Sequence, residues 1–129
     1  MSKIVIVDDS RDLLEVLKFF LEEKGYEVET VTQEKDLISV IKLFSPDLII
    51  LDIYLLGEDG REICKELRRH EATKYLCILM FSATKALADY REYGADGFIE
   101  KPFGLNEIVN KIELTMEGCR DYHRQMNLK

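Results

Sequence analysis

Apolar positions along the chain fall into short unbroken blocks, separated by stretches with helical spacing. Residues 4–7, IVIV, form a β-branched block without helical period, as in a strand buried on both faces, and it ends at Asp8-Asp9. Ser10 offers a helix N-cap, and Leu13, Leu14, Val16, Leu17, Phe20 and Leu21 mark one helical face up to Gly25. Residues 26–31, YEVETV, alternate apolar and polar as a half-covered edge strand does. Thr32 is placed to cap a helix carrying Leu37, Ile38, Ile41 and Phe44, which Ser45-Pro46 stops. A second apolar strand, DLIILDI at 47–53, leads into a loop with Gly57 and Gly60. Residues 61–70 read as a short helix and 77–82, CILMFS, as another buried strand. Residues 86–93 read as a helix closed by Gly94, and 97–101, GFIEK, as the last strand. Residues 105–116 form an amphipathic helix with Leu105, Ile108, Val109 and Ile112 on one face.

The alternation is βα five times over. Strands apolar on both faces, separated by helices, predict an α/β fold: a doubly wound, five-stranded parallel sheet with helices on both sides. One domain is expected over residues 1–117, with 118–129 either extending the last helix or trailing as a tail. The 129 residues, 47% hydrophobic and 33% charged, suit a single soluble globular domain. A net charge of −7 argues against direct binding to nucleic acid or anionic membranes. Cys64, Cys77 and Cys119 are widely spaced, with no CxxC or Cys/His cluster, so reduced thiols are expected rather than a disulfide or zinc site. Neither a signal-peptide pattern nor a membrane-length apolar run is present, and a cytoplasmic location is the expectation.

Asp52 interrupts the most apolar stretch of the chain. A carboxylate there loses solvation or neutralises unless something partners it. In open parallel sheets, ligands sit beyond the C-terminal strand ends. Those ends carry Asp8 and Asp9, Asp52, Ser82, and Lys101 before Pro102, all on one rim. Three adjacent carboxylates cannot all stay ionised without a cation, and Mg²⁺, with Mn²⁺ an allowed substitute, takes such oxygen donors. Lys101 adds a fixed positive charge and Ser82 a movable hydroxyl. Together they suit the acceptor of a phosphoryl group.

Four stretches, VDDS at 7–10, LIILDI with the following LLGEDG, FSA at 81–83 and GADGFIEKPF at 94–103, resemble the receiver domain of two-component response regulators over nearly the whole chain. The resemblance implies a flavodoxin-like sheet of order 2-1-3-4-5. It implies Asp52 as phosphoacceptor, with Mg²⁺ held by Asp8, Asp9, Asp52 and the Tyr54 main-chain carbonyl. Lys101 would neutralise phosphoryl oxygens, Ser82 would be the switch hydroxyl and Phe98 the aromatic switch, and the bond before Pro102 would be cis. Tyr54 and Thr84 would modulate the lifetime of the acyl phosphate. The implied donor is a sensor histidine kinase or a histidine phosphotransfer protein. The output would pass by protein contact from a stand-alone receiver, not an enzyme beyond self-phosphorylation and slow self-dephosphorylation.

Without the resemblance, Asp8 and Asp9 could favour a helix dipole, Ser82 could cap a strand end, and Phe98 could be core. His70 and His123 read as surface residues. The chain departs from the family pattern at Leu56, where a proline is frequent, and between Ser82 and Gly94, which is shorter by about three residues, close to one helical turn. That shortening leaves the output surface and oligomeric state open. Of the rivals, an aspartyl phosphatase would want an acid at Tyr54, and a nucleotide carrier would want glycine rather than acids after the first strand. A pseudo-receiver that is never phosphorylated is the remaining alternative.

Overall fold

A computed structural model describes residues 2–55, 57–82 and 90–127. Strand β1 (Lys3–Val7) is followed by α1 (Arg11–Glu23), β2 (Glu27–Val31), α2 (Leu37–Phe44) and β3 (Leu48–Asp52). Then come α3 (Gly60–Arg69), β4 (Cys77–Ser82), β5 (Gly97–Glu100) and α4 (Leu105–Asn127). The five strands form one parallel sheet in the order β2-β1-β3-β4-β5, the expected doubly wound arrangement. A small antiparallel ribbon, Tyr54–Leu55 with Glu58–Asp59, lies between β3 and α3.

Strand alternation divides the core. Val5, Val7, Ile49, Leu51, Ile78 and Met80 face Leu37 and Ile41 of α2 and Ile63 and Leu67 of α3. Ile4, Ile6, Leu48, Ile50, Leu79 and Phe81 face Leu14, Leu17 and Leu21 of α1 and Ile108, Ile112 and Met116 of α4. Each such side chain contributes about 1.5–3 kcal/mol by burial. A one-residue slip of any strand would exchange the two sets, so apolar packing alone leaves little freedom in register.

Several sequence expectations are corrected. Ser10 does cap α1, accepting from the Leu13 N–H, but Val16 is exposed because the buried stripe is Leu14, Leu17 and Leu21. Thr32 does not cap α2; a 3₁₀ turn at Glu34–Asp36 leads into it. This eight-residue helix buries only Leu37 and Ile41, leaving Ile38 at the surface. Residues 90–93 are a 3₁₀ turn rather than helix, and residues 83–89, including Thr84, lie outside the described residues, as do Leu56 and the side chain of His123. The i, i+3 spacing of that tighter turn puts Tyr90 and Tyr93 on one side, both against the core. Helix α4 continues well past Met116 to Asn127.

The cysteine expectation is also overturned. Cys77, at the start of β4, is disulfide-bonded to Cys119 of α4, with Cα atoms 6.0 Å apart. Packing of α4 on β4 brings together thiols separated by 42 positions, a proximity that spacing could not signal. Cys64 alone stays free; it is buried, and burial pushes its pKa up to about 11. No helix among the described residues is long and apolar enough to cross a membrane.

Candidate functional site

Parallel register sets the rim. Val7 pairs with Leu51, Asp52 with Phe81, and Ser82 with Glu100. Asp8 therefore leaves β1 beside Asp52, and Lys101 leaves β5 beside Ser82. The Lys101 N–H donates to the Ser82 carbonyl at 2.7 Å, extending the ladder by one residue. The next peptide bond, Lys101–Pro102, is cis.

Asp8 is almost fully buried and fully engaged. Its Oδ1 accepts from the Ser10 N–H at 2.8 Å, and its Oδ2 accepts from Lys101 Nζ at 3.1 Å. The same ammonium stands 3.5 Å from Asp52 Oδ2, so one cation bridges two carboxylates. It also lies 4.5 Å from the centroid of the Phe81 ring, whose face favours a cation there. Asp52 Oδ1 accepts a long bond, 3.3 Å, from the Tyr54 N–H.

Carboxylate oxygens of Asp8, Asp9 and Asp52 lie within 4.8 Å of one another. Burial, and then the charge of Asp8, raise the Asp52 pKa to about 6, while Lys101 and the Tyr54 N–H pull it back. Burial, the larger cause, and the charge of Asp8 together outweigh the pull of Lys101 and the Tyr54 N–H at this carboxylate. Three clustered carboxylates also provide an all-oxygen donor set of the kind hard divalent cations take.

Ser82, Tyr54 and Phe98 lie differently with respect to the rim. Ser82 is buried at the end of β4, and Tyr54 is exposed at the rim. Phe98 is half-buried and stacks on Tyr90, with ring centroids 6.3 Å apart. The rim thus brings together Asp8, Asp9, Asp52, Ser82 and Lys101, with Tyr54 at its edge, whereas Phe98 packs against the 90–93 turn.

Two contributors lie in the motifs that carry the resemblance but are given no role at the site from sequence. Phe81 reads there only as a strand residue, yet it seats the Lys101 ammonium. Gly60 reads as a turn residue, yet it lies so close that a Cβ there would run into the Asp52 carbonyl and stand 2.8 Å from Ile53 Cα. Its N–H donates to the Ile53 carbonyl at 2.6 Å, and Asp59 before it caps α3 through the Arg61 N–H. The spacing of GEDG signals a turn, not that the turn folds back onto the acidic strand.

A parallel sheet of order 2-1-3-4-5 with acids and a lysine at its C-terminal rim defines a class, and the sequence profile of the response regulator receiver domain matches residues 4–113. The chain belongs to that family. A candidate response regulator from Chloroflexus aurantiacus J-10-fl is 33% identical, with 90% of this chain and 98% of that one covered and a TM-score of 0.82. The chemotaxis response regulator CheY4 of Vibrio cholerae is 26% identical over 89% of this chain and 98% of its own, also at TM-score 0.82. NtrX from Brucella abortus superposes at TM-score 0.88 with 26% identity, covering 99% of this chain but only 29% of NtrX. The chain thus spans less than a third of NtrX and nearly all of the other two.

Proposed function

We propose that this receiver accepts a phosphoryl group on Asp52 from a phosphohistidine of a sensor kinase or a histidine phosphotransfer protein. The observation that carries the reading is the Lys101 ammonium bridging Asp8 and Asp52 beside Asp9. An oxygen of the Asp52 carboxylate attacks phosphorus in line. The P–N bond breaks, its electron pair stays on the imidazole, and an acyl phosphate forms.

Mg²⁺ suits the clustered carboxylates, and Asp8, Asp9, Asp52 and the Tyr54 carbonyl are the groups that would hold it. When bound, it offsets charge on the transferring phosphoryl oxygens. Lys101, pre-positioned by Asp8 and the Phe81 face, stabilises those oxygens without having to reorganise. With a pKa of about 6, Asp52 is mostly ionised at neutral pH and so available as nucleophile.

The added charge biases a two-state element in which Ser82 turns toward the phosphoryl group and Phe98 moves inward. Signalling then passes through protein contacts, in the cytoplasm. The test is incubation with acetyl phosphate or beryllofluoride, with and without Mg²⁺, beside an Asp52→Asn control. A Mg²⁺-dependent mass gain that the mutant lacks is expected. No gain from any donor would leave a pseudo-receiver.

A further inference from the structure

At the other end of the sheet, Cys77 and Cys119 face one another between β4 and α4. Cys77 is four strand residues from Phe81, the partner of Asp52, or about 13 Å. The pair is therefore spatially separate from the acidic rim, and its chemistry does not depend on phosphorylation.

Three observations set it apart from a passive staple. First, Cys119 lies half-buried between two clefts of about 740 and 520 Å³, the second of which Cys77 also lines. Small oxidants and reductants therefore have a route to the sulfurs. Second, Cys77 Sγ lies 3.5 Å from the Thr115 carbonyl, an acceptor ready for the S–H of the reduced thiol. The reduced Cys77 thiol thus has a hydrogen-bond partner once the two sulfurs separate. Third, Met116 is the last apolar side chain of α4 that is buried among those described. Beyond it Glu117, Gly118 and Arg120 are exposed, and a glycine inside a helix weakens it. The cross-link acts where α4 leaves the sheet.

We propose that the Cys77–Cys119 bond is a redox switch that fastens the distal part of α4 to the sheet when oxidised and loosens it when reduced. A hydroperoxide is the oxidant. The more accessible Cys119 thiol gives its proton to solvent and the thiolate attacks the peroxide; the O–O bond breaks, the alkoxide or hydroxide that leaves takes a proton from solvent to become alcohol or water, and a sulfenic acid remains. The Cys77 sulfur then attacks that sulfur, water leaves carrying the thiol proton, and the disulfide closes. Reduction runs through a dithiol, which supplies two electrons and two protons and itself becomes a disulfide.

The full chain, reduced with dithiothreitol and desalted, is treated with hydrogen peroxide and followed by intact mass, peptide mapping and hydrogen exchange. Loss of two hydrogens is expected, with linkage mapped to Cys77 and Cys119 and Cys64 still alkylatable on unfolding. Amide exchange across 114–122 should slow severalfold on oxidation and recover with dithiothreitol or excess reduced glutathione. Cys119→Ser and, separately, Cys77→Ala should remove both responses; the half-buried Cys119 site keeps the test available if the Cys77 variant does not fold. Linkage through Cys64 or between chains, or equal exchange in the two forms, would overturn the proposal. So would a bond that excess glutathione leaves closed. Retention of zinc by the reduced chain, through Cys77, Cys119 and the nearby Asp96, would replace the switch with a metal site.

Discussion

Tyr54 combines a buried task with an exposed one. Its N–H steadies Asp52 at 3.3 Å, while its side chain stands 53% exposed at the mouth of the site. If Asp52 carries an acyl phosphate, as proposed, a ring there would limit the approach of water to it. Tyr54→Ala keeps the N–H and removes the ring, so the half-life of the phosphorylated protein should shorten severalfold. Phosphate release after removal of the donor measures this, and an unchanged half-life would take the shielding role from Tyr54. Gly60 makes a different demand, since a Cβ would meet the backbone of Asp52 and Ile53 rather than a side chain that can move aside. Gly60→Ala should cost about 1–3 kcal/mol, the usual range for overpacking, read from urea unfolding. The acids, the serine and the lysine were legible because polar residues at apolar strand ends stand out. The glycine contact was not, because it depends on a turn folding back.

Helix α3 shows the same limit at the scale of an element. A short helix at 61–70 was readable, but the sequence offers no sign of what Arg68 does. The guanidinium donates from Nε to the Gly94 carbonyl at 2.8 Å and from Nη1 to the carbonyls of Lys74 and Leu76 at 3.0 and 2.6 Å. From Nη2 it donates to Asp96 at 2.8 Å. One side chain thereby ties the end of α3 to the loops entering β4 and β5. A lysine has neither the planar fork nor enough donors in the right directions. Arg68→Lys should therefore lower unfolding free energy by about 1–3 kcal/mol, the cost of leaving partly buried acceptors unpaired. Chemical denaturation measures the loss; a lysine variant as stable as the parent would mean that water satisfies these carbonyls equally well. The elements themselves were recovered where period is strong, in β1, α1, β3 and β4. They were missed where length is too short for period to speak, as in the 3₁₀ turns at 34–36 and 90–93.

For the molecule as a whole, the rim is a place where folding works against electrostatics. The order of the strands forces Asp8 and Asp52 together in a buried setting, and the fold bears the desolvation and repulsion that Lys101 does not offset. Burial and Asp8 lift the Asp52 pKa from 3.8 to about 6, so between those values the folded chain binds more protons than the unfolded one. Stability from this group is therefore greatest below pH 4, falls as pH rises through about 6, and is then lower by at most about 3 kcal/mol. Other carboxylates titrate in the same window, so the informative quantity is the difference between the parent and Asp52→Asn. In chelator, the two should be equally stable near pH 4, and the asparagine variant should lead by up to about 3 kcal/mol at pH 7. Adding Mg²⁺ at pH 7 should narrow that lead, because a cation bound to the folded parent stabilises it by mass action and replaces the missing positive charge. Urea unfolding of both proteins at the two pH values, with and without Mg²⁺, reads all of this. A parent more stable than the variant at pH 7 in chelator would mean that Lys101 and the Tyr54 N–H already outweigh burial and Asp8 together, and the case for a divalent cation from charge alone would fall.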